Sequence, residues 1–249
     1  MAGRRTYRTK AIVLGHTKLA EQDLILTLLS ETGEQLRAVA KGARKPGGRL
    51  AARVELFCES DFLLARGRSL DVVSEAQVTC AHAGLRGDLE RVSAASAVCE
   101  VARLTSFEDA EDPFLHAILA RALTALEQAP DQGRLDLAVA AYAFKVLAHS
   151  GWRPELDSCV ACGDASVTFF SAPFGGTLCS SCARNVAGAE PVDARTLAWL
   201  RSLLRSTFDE LGRAEVDVAT STELLSYAHV WAATHLDARL RAFEFMLSL

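Results

Sequence analysis

Four of the seven cysteines form two closely spaced pairs. Two residues separate Cys159 from Cys162 and Cys179 from Cys182, and sixteen residues lie between the pairs. Each pair directs two sulfur atoms at one point, and the intervening loop brings the pairs together around a tetrahedral ion. The spacing therefore predicts a zinc site with these four cysteines as ligands. Because four protein ligands close the coordination shell, we expect one structural Zn²⁺ ion.

Other uses of paired cysteines remain open at this point. Disulfides require an oxidising compartment, and no signal-peptide-like apolar stretch follows Arg4 and Arg5. Redox-active thiols are a further alternative. A base deaminase would need an H-x-E motif and a proline before the first cysteine, but no histidine fits and Ser158 precedes Cys159. The remaining cysteines lie in apolar segments and are predicted to be core thiols: Cys58, Cys80 and Cys99.

The first eighty residues predict a small β-barrel. They contain five short apolar segments, at Ala11–Leu14, Leu24–Leu29, Leu36–Ala40, Val54–Leu64 and Ser69–Val78. Turn signals separate the segments, and the connections are too short for crossover helices. The OB-fold is a five-stranded barrel of this size that binds oligonucleotides.

The rest of the chain predicts a helical body with the cysteine module inserted in it. Apolar residues recur at three- and four-residue spacing, as in the series Phe114, Ile118, Ala122 and Leu126. The segment 135–149 is apolar on nearly every face and is predicted to be a buried helix. The sequence Thr220–Glu223 resembles a capping box that opens a last helix, whose apolar stripe continues to Leu247. These stripes indicate core packing, although a partner-binding face has the same pattern.

We therefore expect an α+β multidomain protein. The predicted domains are an OB-fold DNA-binding barrel over 1–80, a helical body over 81–156 and 190–249, and a zinc module over 157–189. The longest apolar run is too short and too charged to span a membrane, so we expect a cytoplasmic protein.

Charge is distributed unevenly along the chain. Residues 1–80 carry 13 basic and 9 acidic side chains, whereas residues 81–249 carry 14 and 22. A basic front on an acidic body suggests contact with a polyanion, although chance variation of surface charge gives similar differences. Six cations with no acid among them are the candidate DNA-binding residues: Arg37, Lys41, Arg44, Lys45, Arg49 and Arg53. Lysine and arginine on a flexible loop suit phosphate contacts, and a solvated loop is the alternative.

The sequence carries no motif of a familiar enzyme class. Gly42 and Gly47 have the spacing of a phosphate-binding loop, but Gly48 and Arg49 follow where that motif has Lys and Ser or Thr. Nucleophile-elbow, zinc-protease and dinucleotide-binding signatures do not occur. We therefore predict no nucleotide binding, no catalytic residue and no enzyme activity.

Two segments resemble the bacterial RecO family of recombination mediators. The first runs from Ala11–Leu14 through Glu21–Ile25 to Ala40–Lys45, and the second from Cys159 through Phe170–Gly176 to Cys182. The resemblance implies a nucleoid-associated protein that binds single- and double-stranded DNA and anneals complementary strands without ATP. It also implies action with RecR, and with RecF, to load recombinase onto DNA coated by single-strand-binding protein.

The resemblance further implies that the helical body receives the acidic, apolar C-terminal tail of single-strand-binding protein. Such a tail needs an apolar groove with a cation at its rim. Arg121 and Lys145 are the candidate partner-binding residues. Two other functions remain open: a zinc-stabilised protein-binding regulator or adaptor with no direct DNA role, and a zinc hydrolase with fewer than four cysteine ligands.

Overall fold

The computed structural model describes residues 6–249, so residues 1–5 of the predicted barrel domain lie outside the described residues. The chain divides into two compact units between Glu127 and Gln128. The first unit contains the barrel with two helices, and the second contains the remaining helices and the cysteine module. This division falls inside the segment 81–156 that the sequence assigns to one body, and the predicted domain bounds stay a prediction.

The first unit contains a closed five-stranded barrel. Its strands are β1 (Thr6–Lys18), β2 (Leu24–Ser30), β3 (Gln35–Ala40), β4 (Glu59–Ala65) and β5 (Asp71–Cys80). Neighbouring strands follow the order β1-β2-β3-β5-β4, with β4 also pairing with β1. All pairs are antiparallel except β3 with β5, which run parallel at Ala38 and Asp71. This arrangement is that of the predicted OB-fold.

The barrel interior is formed by alternate residues of each strand. In β2, Leu24, Leu26 and Leu28 face the core, while Ile25 and Thr27 between them are only half-buried. In β3, Ala38 and Ala40 are buried and Arg37 is exposed, as the period of two along a strand requires. The alternation therefore directs the basic side chain to the outer surface.

The fourth strand begins five residues later than predicted. The sequence indicates a strand from Val54, but residues 51–53 form a 3-10 helix and β4 starts at Glu59. Phe57 has a φ of 71°, in the left-handed region that a strand cannot use. Its N–H donates to the Val13 carbonyl at 3.0 Å, which holds this irregular turn against β1.

Two helices complete the first unit: α1 (Leu89–Thr105) and α2 (Pro113–Gln128). In the stripe predicted on α2, Ile118, Ala122 and Leu126 are buried, whereas Phe114 is exposed in the first turn. Helix α1 buries Ala95, Val98 and Ala102. Asp88 caps α1 by accepting a hydrogen bond from the Arg91 backbone at 2.8 Å. The side-chain amide of Gln35 in β3 donates to the Ser106 carbonyl at 2.7 Å and so links the barrel to the end of α1.

The second unit is built around α3 (Gln132–His149), the helix that the sequence predicts to be buried. The other helices are α4 (Ser180–Ala183), α5 (Ala194–Arg205), α6 (Phe208–Arg213), α7 (Val218–Leu236) and α8 (Arg241–Leu247). Three short strands, β6 (Phe169–Ser171), β7 (Gly176–Leu178) and β8 (Glu190–Pro191), form a small sheet in the order β7-β6-β8. Within residues 6–249, no helix is long and apolar enough to cross a membrane.

The structure corrects two predictions for the C-terminal segment. Helix α7 begins at Val218 rather than after Thr220, because Asp217 accepts a hydrogen bond from the Thr220 backbone and acts as the cap. The capping box is found instead at Thr207 and Glu210, at the start of α6. The predicted single stripe to Leu247 is divided between α7 and α8, because Asp237 adopts a left-handed conformation.

A buried carboxyl joins α3 to α7. Asp136 is 2% exposed and accepts hydrogen bonds from Ser221 at 2.8 Å and from Gln132 at 2.7 Å. Burial raises the pKa of this carboxyl above its ordinary value of 3.8, although both hydrogen bonds oppose the rise. The folded state therefore binds the proton more tightly than the unfolded chain does.

We expect this proton to make the free energy of unfolding fall as pH rises. The stabilisation from protonated Asp136 is present below its unfolded pKa and is lost as pH rises through the higher folded pKa. Asp136→Asn should flatten this dependence in the mildly acidic range. Urea unfolding at a series of pH values checks it, and an identical slope in both proteins would contradict it.

Candidate metal centre and nucleic-acid interface

The structure brings the four predicted ligands together. The sulfur atoms of Cys159, Cys162, Cys179 and Cys182 all lie within 4.8 Å of one another. The sulfurs of Cys162 and Cys179 are 3.8 Å apart. With Zn–S bonds of about 2.3 Å, the edge of a tetrahedral site is about 3.8 Å. The donor set and its spacing therefore fit a tetrahedral thiolate-bound metal, and none of the seven cysteines is in a disulfide.

Tight turns position the sulfur atoms in each pair. In the first pair, the Cys159 N–H donates to the Asp164 carbonyl and the Gly163 N–H donates to the Cys159 carbonyl, both at 2.8 Å. Gly163 has a φ of 78°, which favours glycine at this point. In the second pair, β7 ends directly before Cys179, which caps the short helix α4 that carries Cys182.

The cluster has the electrostatics of a cation site. Backbone N–H groups, led by that of Cys179, lower the pKa of the Cys159 thiol to about 6. The neighbouring sulfurs of Cys162 and Cys179, with burial, raise the pKa of the Cys182 thiol to about 12. Four thiolates packed this closely repel one another, so a divalent cation at their centre stabilises the ionised form of all four.

The cysteine module is fastened to the helices of its own unit. The ring of Phe170 in β6 lies 5.3 Å edge-on from Tyr227 and 5.7 Å from Trp231, both in α7. Arg201 of α5 donates to the Asp157 carboxylate at 2.7 Å. Order in the module is therefore linked to the packing of α5 and α7.

Gly176 is where the hairpin between the two cysteine pairs approaches the preceding chain. It has a φ of 151°, and an added Cβ would lie 2.1 Å from the Glu155 carbonyl oxygen. The Glu155 backbone also accepts a hydrogen bond from Thr177 at 2.8 Å. A side chain at this position must therefore push the strand that precedes Cys179 away from the Glu155 backbone.

We expect Gly176→Ala to lower the free energy of unfolding by about 2 kcal/mol or more, from backbone strain and steric overlap. Urea unfolding with zinc analysis measures the effect. Gly212→Ala is the matched control, because Gly212 lies in α6 with no atom within 4 Å of the added Cβ. Equal stability of the two variants would show that the contact is unimportant.

The candidate DNA-binding residues lie on and beyond β3, on one segment of the barrel unit. All six side chains are exposed: Arg37, Lys41, Arg44, Lys45, Arg49 and Arg53. The loop between β3 and β4 carries the last five and begins with Lys41. The N–H of the next residue, Gly42, donates to the Asp23 carboxylate at 2.8 Å. The basic segment is therefore presented to solvent from a fixed base.

Three of these cations also hold the loop against the barrel. Arg44 donates to the Glu21 carbonyl at 2.9 Å, Arg49 to Ser74 at 3.0 Å and Arg53 to Ala76 at 3.1 Å. The other three, Arg37, Lys41 and Lys45, have no side-chain hydrogen bond or ion pair to any residue within 6–249. The basic segment thus combines three fastened cations with three that are free to meet an anion.

Sequence reasoning missed three cations at the loops that flank the barrel face. Arg66 and Arg68 are exposed in the turn between β4 and β5, and Lys18 ends β1. OB-folds bind oligonucleotides with strands 2 and 3 and with the loops that join strands 1–2 and 4–5. The sequence does indicate two of them, because Arg66 and Arg68 flank the turn residue Gly67 and are therefore expected in an exposed loop.

The two candidate partner-binding residues fall in different compact units. Arg121 is exposed on α2, in the first unit. Lys145 of α3 is half-buried in the second unit, and its Nζ donates to the Leu204 carbonyl at 3.0 Å. Leu204 lies in the last turn of α5, so Lys145 stabilises that helix end. Burial lowers the pKa of Lys145 below its ordinary value.

A small hollow near Lys145 was not predicted. It has a volume of about 120 Å³ and is lined by Arg153, Pro154, Glu155, Leu156, Asp157, Arg201, Leu204 and Arg205. Arg201 and Arg205 are each paired with Asp157, at 2.7 and 3.5 Å. Arg153 is exposed at its rim. Most of the lining is charged, and its apolar residues are Pro154, Leu156 and Leu204.

Comparison with known proteins covers nearly the whole chain. Residues 1–81 match the model of the family described as recombination protein O N terminal, and residues 86–243 match recombination protein O C terminal. The chain is 33% identical to the DNA repair protein RecO of Desulforudis audaxviator over 244 residues, covering 97% of this chain and 96% of the relative. It is 34% identical over 243 residues to the protein of the same name from Bifidobacterium animalis subsp. lactis, covering 96% and 98%.

Proposed function

The chain belongs to the RecO family of DNA repair and recombination proteins, and from this premise we propose that it binds DNA through its barrel and anneals complementary strands without nucleotide hydrolysis. The observation that carries the proposal is the exposed series of cations on and beyond β3. The OB-fold is a common carrier of oligonucleotide sites, which supports the same conclusion. A DNA ligand would place the protein at the nucleoid.

Contact with phosphates explains most of this activity. Lysine and arginine neutralise the backbone and release its counterions, which gives affinity without base sequence. Neutralisation also reduces the repulsion between two strands that are to pair. Annealing needs no proton transfer or covalent step, so we assign no catalytic residue.

The shortage of aromatic side chains on the barrel supports annealing rather than storage of single strands. Between residues 6 and 80 the Phe, Tyr and Trp residues are Tyr7, Phe57 and Phe62, and both phenylalanines are buried. The exposed ring of His16 is hydrogen-bonded through Nε2 to the Val54 carbonyl. The Arg66 guanidinium lies 4.7 Å from the centre of the Tyr7 ring and covers it. Proteins that hold single strands stack bases on aromatic side chains. Without such stacking, the bases of a bound strand stay available to pair.

We propose zinc as the metal of the four-cysteine site. Cys159, Cys162, Cys179 and Cys182 would hold it, and the bound ion would join the two turns and neutralise their thiolates. Its role is structural, because a closed four-sulfur shell leaves no position for water or substrate. A zinc hydrolase would need such an open position, so metal spectroscopy that reports four sulfur ligands would exclude that alternative.

We also propose RecR, RecF and single-strand-binding protein as partners. The acidic, apolar tail of the last needs a cation beside apolar surface. Arg121 is exposed and could supply this cation, and so could exposed Arg153 at the hollow. Lys145 is already bonded to Leu204, so its replacement should also loosen the end of α5.

We expect Arg121→Ala to weaken binding of the tail peptide about fivefold, since a desolvated cation–carboxylate contact contributes about 1 kcal/mol. Fluorescence anisotropy with the labelled peptide measures it. Arg153→Ala is the parallel variant, and Lys145→Ala needs a melting-temperature control. If only Arg153→Ala weakens peptide binding, the binding site is at the hollow. If neither variant weakens binding, neither arginine contacts the peptide.

An annealing assay tests the proposed function against its rival. Two complementary oligonucleotides, one fluorescent and one quenched, are mixed with the protein at moderate salt and without nucleotide. We expect faster pairing than without protein. If the folded, zinc-loaded protein neither binds single-stranded DNA nor accelerates pairing, the barrel is a scaffold and the protein is a protein-binding adaptor.

A further inference from the structure

A cysteine, a histidine and a glutamate form a connected chain in the first unit, where the last strand of the barrel ends. The Sγ of Cys80, the last residue of β5, lies 3.4 Å from Nε2 of His82. The other ring nitrogen of His82, Nδ1, lies 2.9 Å from Oε2 of Glu127 at the end of α2. Activated thiols have this arrangement of nucleophile, base and orienting carboxylate.

The hydrogen bonds determine which way the proton moves. Glu127 also accepts a hydrogen bond from the Gly84 backbone at 2.8 Å. Burial alone would raise the pKa of this carboxyl, but the bonds from His82 and Gly84 lower it below its ordinary value. Glu127 is therefore an acceptor, and Nδ1 of His82 carries the proton between them. This assignment leaves Nε2 as the acceptor that faces the Cys80 thiol.

His82 is held in this position at a conformational cost. Its φ of 41° and ψ of 46° lie in the left-handed region, and it is 6% exposed. A residue other than glycine is strained in this region, because its Cβ crowds the neighbouring backbone. The cost is offset by the contacts that the ring makes with Cys80 and Glu127. Strain of this kind is common at functional sites.

Cys80 differs from the other two cysteines of its unit. Cys58 and Cys99 are buried, and burial raises the pKa of both thiols, that of Cys99 to about 12. Cys58 also donates to the Ala81 carbonyl at 3.2 Å. Cys80 is only partly buried and faces a ring nitrogen that, in this tautomer, can accept a hydrogen bond from the thiol. Access and activation therefore coincide at one of the three.

We propose that Cys80 is a redox-reactive thiol that peroxide oxidises to a sulfenic acid, with His82 as its proton acceptor and Glu127 as the positioning residue. His82 takes the thiol proton at Nε2, and the thiolate attacks one oxygen of hydrogen peroxide. An S–O bond forms as the O–O bond breaks, so the sulfur is oxidised and the peroxide is reduced. The leaving hydroxide takes the proton back from Nε2 and departs as water.

Two measurements on the full, zinc-loaded chain test the proposal. The first treats the protein with hydrogen peroxide and the sulfenic-acid trap dimedone, and locates the adduct by peptide mass spectrometry. We expect it at Cys80. The second measures the rate of iodoacetamide labelling at each cysteine near neutral pH. Since an ordinary thiol is only a few per cent ionised there, His82→Asn should slow labelling of Cys80 roughly tenfold.

Variants separate activation from folding. Asparagine tolerates the left-handed conformation and lacks the Nε2 acceptor, so His82→Asn suits position 82. Glu127→Gln keeps the size of the side chain and removes its charge, and we expect slower labelling of Cys80 from it as well. Glu55→Gln is the matched control: Glu55 pairs with Arg86 at 3.0 Å and takes no part in the Cys80–His82–Glu127 chain.

The proposal is wrong if Cys80 is labelled equally fast in the wild type and in folded His82→Asn and Glu127→Gln proteins. It is also wrong if the dimedone adduct forms at Cys58 or Cys99 instead of Cys80. Melting temperature measures whether each variant is folded. If His82→Asn does not fold, the labelling rate of Cys80 in Glu127→Gln tests the proposal.

Discussion

Replacing Cys159 and Cys162 with serine should yield a protein that carries almost no zinc and melts roughly 10 °C or more below the wild type. The two sulfurs form half of a cluster in which all four lie within 4.8 Å. Apparent binding free energies of structural zinc reach about 10 kcal/mol and contribute directly to folding. A loss of a few kcal/mol corresponds to such a shift in a chain of this length.

The loss of stability should be concentrated in the second unit. Without the ion, the two turns lose their common centre, and Phe170 no longer holds the module against Tyr227 and Trp231. We expect limited proteolysis to cut first between residues 157 and 191. Weaker DNA binding in this variant would be a consequence of misfolding rather than evidence for contact at the metal site.

Ser180→Ala with Ser181→Ala is the matched control for the cysteine variant. Both serines are exposed and lie between Cys179 and Cys182 without supplying a ligand. Elemental analysis and thermal unfolding are applied to both proteins. A double-cysteine variant that retains one zinc per chain would contradict the assignment of the ligands.

The parts of the fold that depend on neighbours in sequence were the ones that could be predicted. Both cysteine turns follow from spacing and from Gly163, whose positive φ is required within the turn itself. The closed barrel follows from five alternating segments with short connections, and helix α3 follows from its continuous apolar surface. Each turn, strand and helix among these is indicated by residues within that element itself.

Features that join distant residues could not be read from the sequence. Gly176 lies against Glu155, and the Cys80–His82 pair reaches Glu127, 45 residues beyond His82. Local signals also compete: Thr220 begins a motif that resembles a capping box, but Asp217 lies three residues earlier and takes the cap. Similarly, the apolar stripe of the last helix continues past Asp237, where the backbone turns and the helix ends.

The second large effect concerns DNA affinity as a function of salt. Replacing Lys41, Arg44, Lys45 and Arg49 with alanine should flatten the dependence of log affinity on log salt by roughly 3 units. Each phosphate contact on a single strand contributes about 0.7 to that slope, so four contacts account for the change. The loss should be nearly the same for every base sequence, because phosphates carry no sequence information.

The four replaced residues are of two kinds, which differ in whether their side chains also hydrogen-bond to the barrel. Arg44 and Arg49 each donate to a barrel carbonyl, so their removal loosens the loop as well as removing charge. Lys41 and Lys45 make no such bond within the described residues. A Lys41→Ala, Lys45→Ala double variant should therefore flatten the slope by about 1.4 units with an unchanged melting temperature.

A salt titration of oligonucleotide binding measures the slope for the wild type and both variants. The control removes four exposed arginines outside the barrel: Arg121, Arg184, Arg205 and Arg213. Its net charge changes by the same amount as in the quadruple loop variant, so long-range electrostatics are matched and only local contact differs. If both quadruple variants flatten the slope equally, net charge rather than the loop controls binding. If the loop variant is folded and keeps the wild-type slope, DNA binds elsewhere and the basic segment is only a solvated surface.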